Sequence, residues 1–299
     1  MTVVRRNPVR GAFMGALLLL APGAVAQQSP LPDDPRQLNM LLFDAAERGV
    51  AEEVAAILEK GGSVEAGNRF GSTALIIAAG GGHLDVVKML VAAGSDIDNA
   101  NVGGSTALLR ATMEGHAKTA KYLIGLGAKV GQVNRKGLSP IAGAAFNGDD
   151  EIVELLLARK ADPDIRDNTG KGPIVYAAAK GFVDIVQVLL DAGIDVNARY
   201  GNDLTLLMWA AGYANDVPAP DGVDTVMAVL ERGAALDPRD DRGRTALMTA
   251  AAMGHVEVVQ ALLSAGAGAD IRDKKGMTAA DLAASESQAE VAALLNSTR

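Results

Sequence analysis

The 299-residue chain contains no cysteine. That excludes disulfides, thiolate metal sites, a cysteine nucleophile and acylation of an N-terminal cysteine, and it leaves the chain safe in an oxidising compartment. Aromatic residues are almost as scarce, at 3%. A single large core normally leans on big side chains. A core made mainly of alanine, valine and leucine needs backbones that approach closely, which favours stacked short helices over a sheet. Also missing are G-x-S-x-G, G-x-G-x-x-G, a phosphate-binding loop and H-E-x-x-H, the spacings that place nucleophiles, nucleotides or zinc.

Residues 1–26 carry a different signal from the rest. Arg5, Arg6 and Arg10 make a basic start, Ala12 to Ala21 is an apolar run, and Ala24-Val25-Ala26 is a small-residue cleavage signal. This is the three-part pattern of a secretory signal peptide cut between Ala26 and Gln27. The apolar run is far below the ~20 residues that span a bilayer, so no stable membrane anchor is expected after cleavage. The expected localisation is exported: periplasmic in a bacterium, otherwise secreted. Residues 27–37, with Pro30, Pro32 and Pro35, read as a flexible leader.

Without its first three arginines the chain has 25 basic residues against 36 acidic, a net charge of −11. That disfavours nucleic acid and anionic membranes as partners; a basic partner fits better.

From residue 38 onward the chain repeats. Units start at Leu38, Gly71, Gly104, Gly137, Gly170, Asp203, Gly243 and Gly276, spaced by 33 residues except for one spacing of 40. The third position is Thr73, Thr106, Ser139, Thr205, Thr245 or Thr278, a hydroxyl able to cap a first helix. Pro140 and Pro173 follow at the first helical position. Positions eight and nine are alanine pairs such as Ala78-Ala79 and Ala250-Ala251, with Thr112 the one departure. Position twelve is Gly49, Gly82, Gly115, Gly148, Gly181 or Gly254, which accepts the left-handed turn that ends the helix. A second helix with paired apolar residues one turn apart follows, for example Val86-Val87 with Leu90-Val91. It ends at Gly61, Gly94, Gly127, Gly193, Gly233 or Gly266, with Lys160 the exception, between Gly127 and Gly193. A polar stretch rich in Asp and Asn then reads as a hairpin.

Helix, turn, helix and hairpin at this period resemble the ankyrin repeat. The stretches Gly71-Ser72-Thr73-Ala74-Leu75 with Gly82-His83, Gly104-Ser105-Thr106-Ala107-Leu108 with Gly115-His116, and Gly243-Arg244-Thr245-Ala246-Leu247 with Gly254-His255 carry the likeness. The family's T-P-L-H run is altered: its Pro is often Ala and its His is absent. The resemblance implies an all-α solenoid of about eight helix-turn-helix-hairpin units over residues 38–299. It also implies protein binding through the first helices and hairpins, with no catalysis and no cofactor.

Two departures matter for function. The sixth unit carries seven extra residues around 215–221, between its two helices by register; insertions in repeats map to loops, often at a binding face. Five aromatics crowd into residues 176–213, with Phe146 just upstream. Phe146, Tyr176, Tyr200, Trp209 and Tyr213 are the candidate protein-binding residues, because tyrosine and tryptophan are enriched at binding hot spots; filling of gaps in the core is the competing role.

His83, His116 and His255 all stand at position thirteen, so they read as turn residues rather than metal ligands: neighbouring units lie ~8–10 Å apart and zinc binds nitrogen at ~2 Å. The acidic clusters Asp149-Asp150-Glu151 and Asp240-Asp241 read as a helix start and a hairpin rather than acid–base pairs. The function expected is a monomeric, non-catalytic module that binds another exported protein. The alternatives are a secreted effector acting on host proteins, and an enzyme or metal-binding protein.

Overall fold

The computed structural model describes residues 30–212 and 218–297. The expected signal peptide with its Ala26–Gln27 cut, Tyr213, and residues 214–217 of the insertion lie outside the described residues. The repeat unit of the chain is all-helical: sixteen α-helices among the described residues, in eight pairs.

The first helices are α1 (Pro35–Arg48), α3 (Ala74–Gly80), α5 (Ala107–Met113), α7 (Pro140–Asn147), α9 (Pro173–Ala179), α11 (Leu206–Ala211), α13 (Ala246–Met253) and α15 (Ala279–Ser285). The second helices are α2 (Ala51–Glu59), α4 (Leu84–Ala92), α6 (Ala117–Gly125), α8 (Asp150–Ala158), α10 (Val183–Asp191), α12 (Ala219–Glu231), α14 (Val256–Ser264) and α16 (Ala289–Ser297). The hydroxyls act as expected: Thr73, Thr106, Ser139, Thr205, Thr245 and Thr278 each accept the amide three residues on. Two boundaries differ from the register. Helix α1 begins at Pro35 rather than at the register position Leu41, so that residues 35–37 of the expected flexible leader are helical, with Asp34 accepting the Arg36 amide at 2.9 Å. Helix α12 has 13 residues where α10 and α14 have 9, so part of the insertion forms an extra turn of helix.

The alanine pairs are fully buried except at Ala284 of the last unit, which is exposed, and so are Val87, Leu90, Leu123, Leu156, Leu189 and Leu262 from the second helices. Thr112, at an alanine position, satisfies its buried hydroxyl by donating to the Leu108 and Leu109 carbonyls at 3.2 and 3.1 Å. Small first-helix side chains let those helices touch their neighbours along more of their length than the second helices do. The first-helix side is therefore the inner side of the stack.

Position thirteen locks one unit to the preceding one. The ring N–H of His83 donates to the Glu47 carbonyl and that of His116 to the Gly80 carbonyl, both at 2.9 Å. His255 donates through Nδ1 to the Ala211 carbonyl at 3.0 Å. The rings also lie against the preceding glycine: a Cβ on Gly82 would sit 2.5 Å from His116 Nδ1, and one on Gly148 2.8 Å from the Phe182 ring. These histidines are inter-unit bolts.

Six of the hairpins are each folded by one Asx side chain. Asn68, Asn101, Asn134, Asp167, Asp240 and Asp273 stand at the same unit position, and each Oδ1 accepts amides two or four residues on. Successive tips are joined by backbone bonds: Val102 N–H to Phe70 O at 2.9 Å, Arg135 to Gly103 at 2.8 Å, Asn168 to Lys136 at 2.9 Å, and so on to Lys274 with Arg242 at 3.0 Å. The hairpins thus form a ladder one rung per unit.

Candidate functional site

The inner face is floored by the seventh position of each unit, which lies on the first helix, and walled by the hairpins. Along it run Ile77, Arg110, Gly143, Tyr176, Trp209 and Thr249. Gly143 is a contact requirement, since a Cβ there would press to 3.0 Å from the backbone of Thr112 and Met113. Stacking turns a separation of 33 residues into adjacency, so Tyr176 and Trp209 become neighbours on one surface.

Three of the expected aromatics meet there. Phe146, 44% exposed, contacts Tyr176 edge to face, with centroids 6.0 Å apart and planes at 82°, the arrangement that aligns ring edge with ring face. Lys171 Nζ spans the next gap, 5.9 Å from the Tyr176 ring centre and 5.1 Å from that of Trp209. Lys180 Nζ lies 5.6 Å from the Phe146 ring. The Tyr176 hydroxyl donates to Asp167 Oδ2, tying the ring to the hairpin wall. Burial, then the Asp167 carboxylate, push the Tyr176 pKa far up. Burial would raise Asp167, but hydroxyls of Tyr176 and Thr169 and amides of Lys171 and Thr169 overcome it and hold it below the usual carboxylate range. The result is a row of partly exposed rings pinned by charge-assisted contacts and held in one orientation.

Tyr200 is not on this surface. It is 4% exposed, with the Arg166 guanidinium 4.6 Å from its ring centre. It occupies the hairpin position that is Asn or Asp in the other units, and its unit accordingly folds the hairpin differently. Strands β1 (Arg199–Tyr200) and β2 (Leu204–Thr205) pair across Asn202 and Asp203, whose φ values are 61° and 63°. Its bulk replaces the Asx side chain and fills the hairpin, so it serves the core rather than a partner. Tyr213 lies outside the described residues, and helix α12 takes up Ala219 and Pro220 of the insertion.

The acidic clusters also resolve into structure. Asp240 is the hairpin Asx residue, ion-paired with Arg242 at 2.8 Å. Asp149 stands at position thirteen, just before helix α8, and its pKa is raised, by burial first and then by Asp150, against an opposing pull from His116. No group of three or more His, Asp or Glu able to hold a metal occurs among the described residues, and no described helix is long and apolar enough to cross a membrane.

A second feature was not foreseen from the residues. In the first three units the inner face is hollowed into two adjoining recesses of about 630 and 910 Å³. They share Glu47, Phe70 and Ile77 and so form one groove. Met40, Phe70 and Val102 on and beside it are 69%, 57% and 56% exposed. The signal for it was present in the run Gly80-Gly81-Gly82: sister units place Met113-Glu114 or Phe146-Asn147 where Gly80-Gly81 stand.

The family model described as "Ankyrin repeats (3 copies)" matches residues 42–136, 141–219 and 207–298. The chain belongs to the ankyrin-repeat family, whose members are generally non-catalytic scaffolds for binding other proteins. No curated protein matches the chain.

Proposed function

We propose that this protein is an exported, non-catalytic binding module that grips another exported protein with its inner face and shields, inhibits or assists it. The observation that carries the reading is the row Phe146, Tyr176, Trp209 with Lys171 spanning the last two rings. Rings that are partly exposed, pre-oriented and backed by a rigid stack lose little entropy on binding, the condition under which a few anchors supply most of the affinity. Export rests on the basic start, the apolar run and Ala24-Val25-Ala26.

Crosslinked capture from the envelope fraction of the native organism tests both parts. The protein recovered there is expected to begin Gln-Gln-Ser-Pro, and the wild type to retain a partner that the Trp209→Ala variant loses. Recovery of a chain retaining Met1 in the cytosol removes export. Equal capture by wild type and variant removes the aromatic row as the site.

A further inference from the structure

The groove over the first three units is shaped by residues that the fold itself does not require. Gly80 closes helix α3 and Gly103 lies at a hairpin tip, and neither has a left-handed φ. A Cβ on Gly103 would meet only Asn101 Oδ1, at 3.2 Å; one on Gly80 would meet only the mobile end of Arg110, at 3.1 Å. Glycine in a helix is unfavourable by roughly 1 kcal/mol relative to alanine. Gly80 makes room for the Arg110 guanidinium on the floor of the recess, and Gly103 leaves the hairpin wall beside it without a side chain.

The walls have a definite chemistry. Phe70 and Val102 are apolar and exposed, and the arginines Arg69, Arg110 and Arg135 line the same groove. Arg110 is paired with Glu114 at 2.9 Å, whereas Arg69 and Arg135 have no carboxylate partner among the described residues. The Arg69 guanidinium instead lies 4.7 Å from the Phe70 ring centre. Asp44 on the far wall is taken up by Arg48, which leaves Glu47 as the acidic side chain against this set. Local charge is therefore opposite in sign to the net charge of −8.

The backbone supplies an independent indication. Every later hairpin tip donates an amide to the carbonyl of the tip before it, as Val102 does to Phe70. No hairpin precedes the first among the described residues, so the Arg69 N–H is the open end of the ladder there, and Arg69 lines the larger recess together with Met40 and Phe43. A carbonyl in an extended chain would complete that rung in the way a preceding hairpin does.

Resting on the protein-binding reading above, we infer that this groove receives an extended segment of the partner in which large apolar side chains alternate with carboxylates. A backbone carbonyl of the segment accepts the Arg69 amide, an apolar side chain packs against the exposed Phe70 and Val102, and carboxylates meet Arg69 and Arg135. A second copy of this acidic chain lacks the charge complementarity. The chain's own leader is also unsuited, because Asp33 is already paired with Lys60 at 2.6 Å.

The probe is a labelled, acetylated peptide alternating glutamate and leucine, followed by fluorescence anisotropy, with a lysine-and-leucine peptide as its counterpart. The glutamate peptide is expected to bind and to weaken with added salt, and the lysine peptide to fail. Gly80→Met, which copies Met113 of the next unit, and Arg135→Glu are each expected to lower affinity about tenfold or more. Gly80→Met is expected to melt no lower than wild type, so lost binding cannot come from lost folding. Trp209→Ala is expected to bind the peptide as wild type does, which separates this groove from the aromatic row: failure of one leaves the other standing. Binding unchanged by Gly80→Met, equal binding of the lysine peptide, or no binding of either peptide overturns the inference. So does a wild-type dimer in sedimentation that Gly80→Met dissolves, which would make a second copy the occupant.

Discussion

Lys160 and Gly193 end successive second helices in the same left-handed turn, with φ of 63° and 98°. Each donates its amide to the carbonyl three residues back, at 2.8 and 3.0 Å. A Cβ on Gly193 would meet nothing within 4 Å, so the difference between the two sites is backbone strain alone. A side chain in this conformation costs about 1 kcal/mol. Lys160→Gly is expected to raise the denaturation midpoint by that much and Gly193→Lys to lower it similarly, read by chemical denaturation. A destabilised Lys160→Gly variant would show that the lysine side chain contributes more than the strain removes.

Glycines of the same backbone sign differ in what surrounds them. Gly127 has φ 88° and open space at its Cβ position, whereas Gly148, φ 76°, has the Phe182 ring 2.8 Å away. Gly127→Ala therefore carries strain only, while Gly148→Ala must also displace a ring from an inter-unit contact, adding roughly 1–3 kcal/mol. The expected order of melting is wild type, then Gly127→Ala, then Gly148→Ala. Equal loss in the two variants would mean that Phe182 moves aside without penalty.

The repeat was legible because each unit position has one physical job, and a capping hydroxyl, an alanine pair and a glycine recurring at fixed places in most of the eight units cannot be mistaken for another fold. Thr73, Ala78-Ala79 and Gly82 predict the helix, its close packing and its end, and the structure places them so. Lys160 was visible as an exception for the same reason. Tyr200 was misread because aromatic type was weighed ahead of register: its unit position belongs to Asn or Asp, and a residue replacing a turn-forming side chain is held inside the turn. The groove escaped notice because it is made by missing side chains. Gly80 sits beside Gly82 in one glycine run, and only the backbone angles distinguish the glycine the turn requires from the one that leaves space.

His255 makes stability depend on pH. It is 8% exposed, and burial lowers its pKa against the opposing pull of the Ala211 carbonyl and Glu257. Above the unfolded value of about 6.5 the ring is neutral in both states and adds no slope. Below it, the unfolded chain takes up a proton that the folded site resists, so stability falls until the depressed folded pKa is reached. Gln288 occupies the equivalent position of the last unit, which makes His255→Gln the conservative replacement. Between about pH 7 and pH 5 the wild type is expected to lose stability more steeply than His255→Gln. Parallel profiles would show that His255 titrates alike in both states.

The aromatic row gives the sharpest test of the binding face, because its members can be removed one interaction at a time. Trp209→Ala takes away the ring beneath Lys171, and Tyr176→Ala takes away both the Phe146 edge contact and the bond to Asp167. Anchors of this kind cost about 2 kcal/mol when truncated, so each variant is expected to bind the captured partner roughly thirtyfold more weakly. Tyr176→Phe keeps the ring and loses only the bond to the hairpin. It is expected to bind within a few-fold of wild type if the ring itself is the contact. Lys274→Ala and Lys275→Ala, in the hairpin of the unit after that of Trp209, are expected to bind as wild type does. Each measurement is paired with a thermal melt, since both rings are partly buried and a ring that mainly fills the stack would lower the melting point and imitate lost binding. Trp209→Ala and Tyr176→Ala variants that melt like wild type and still bind like wild type would place the contact surface elsewhere on the stack.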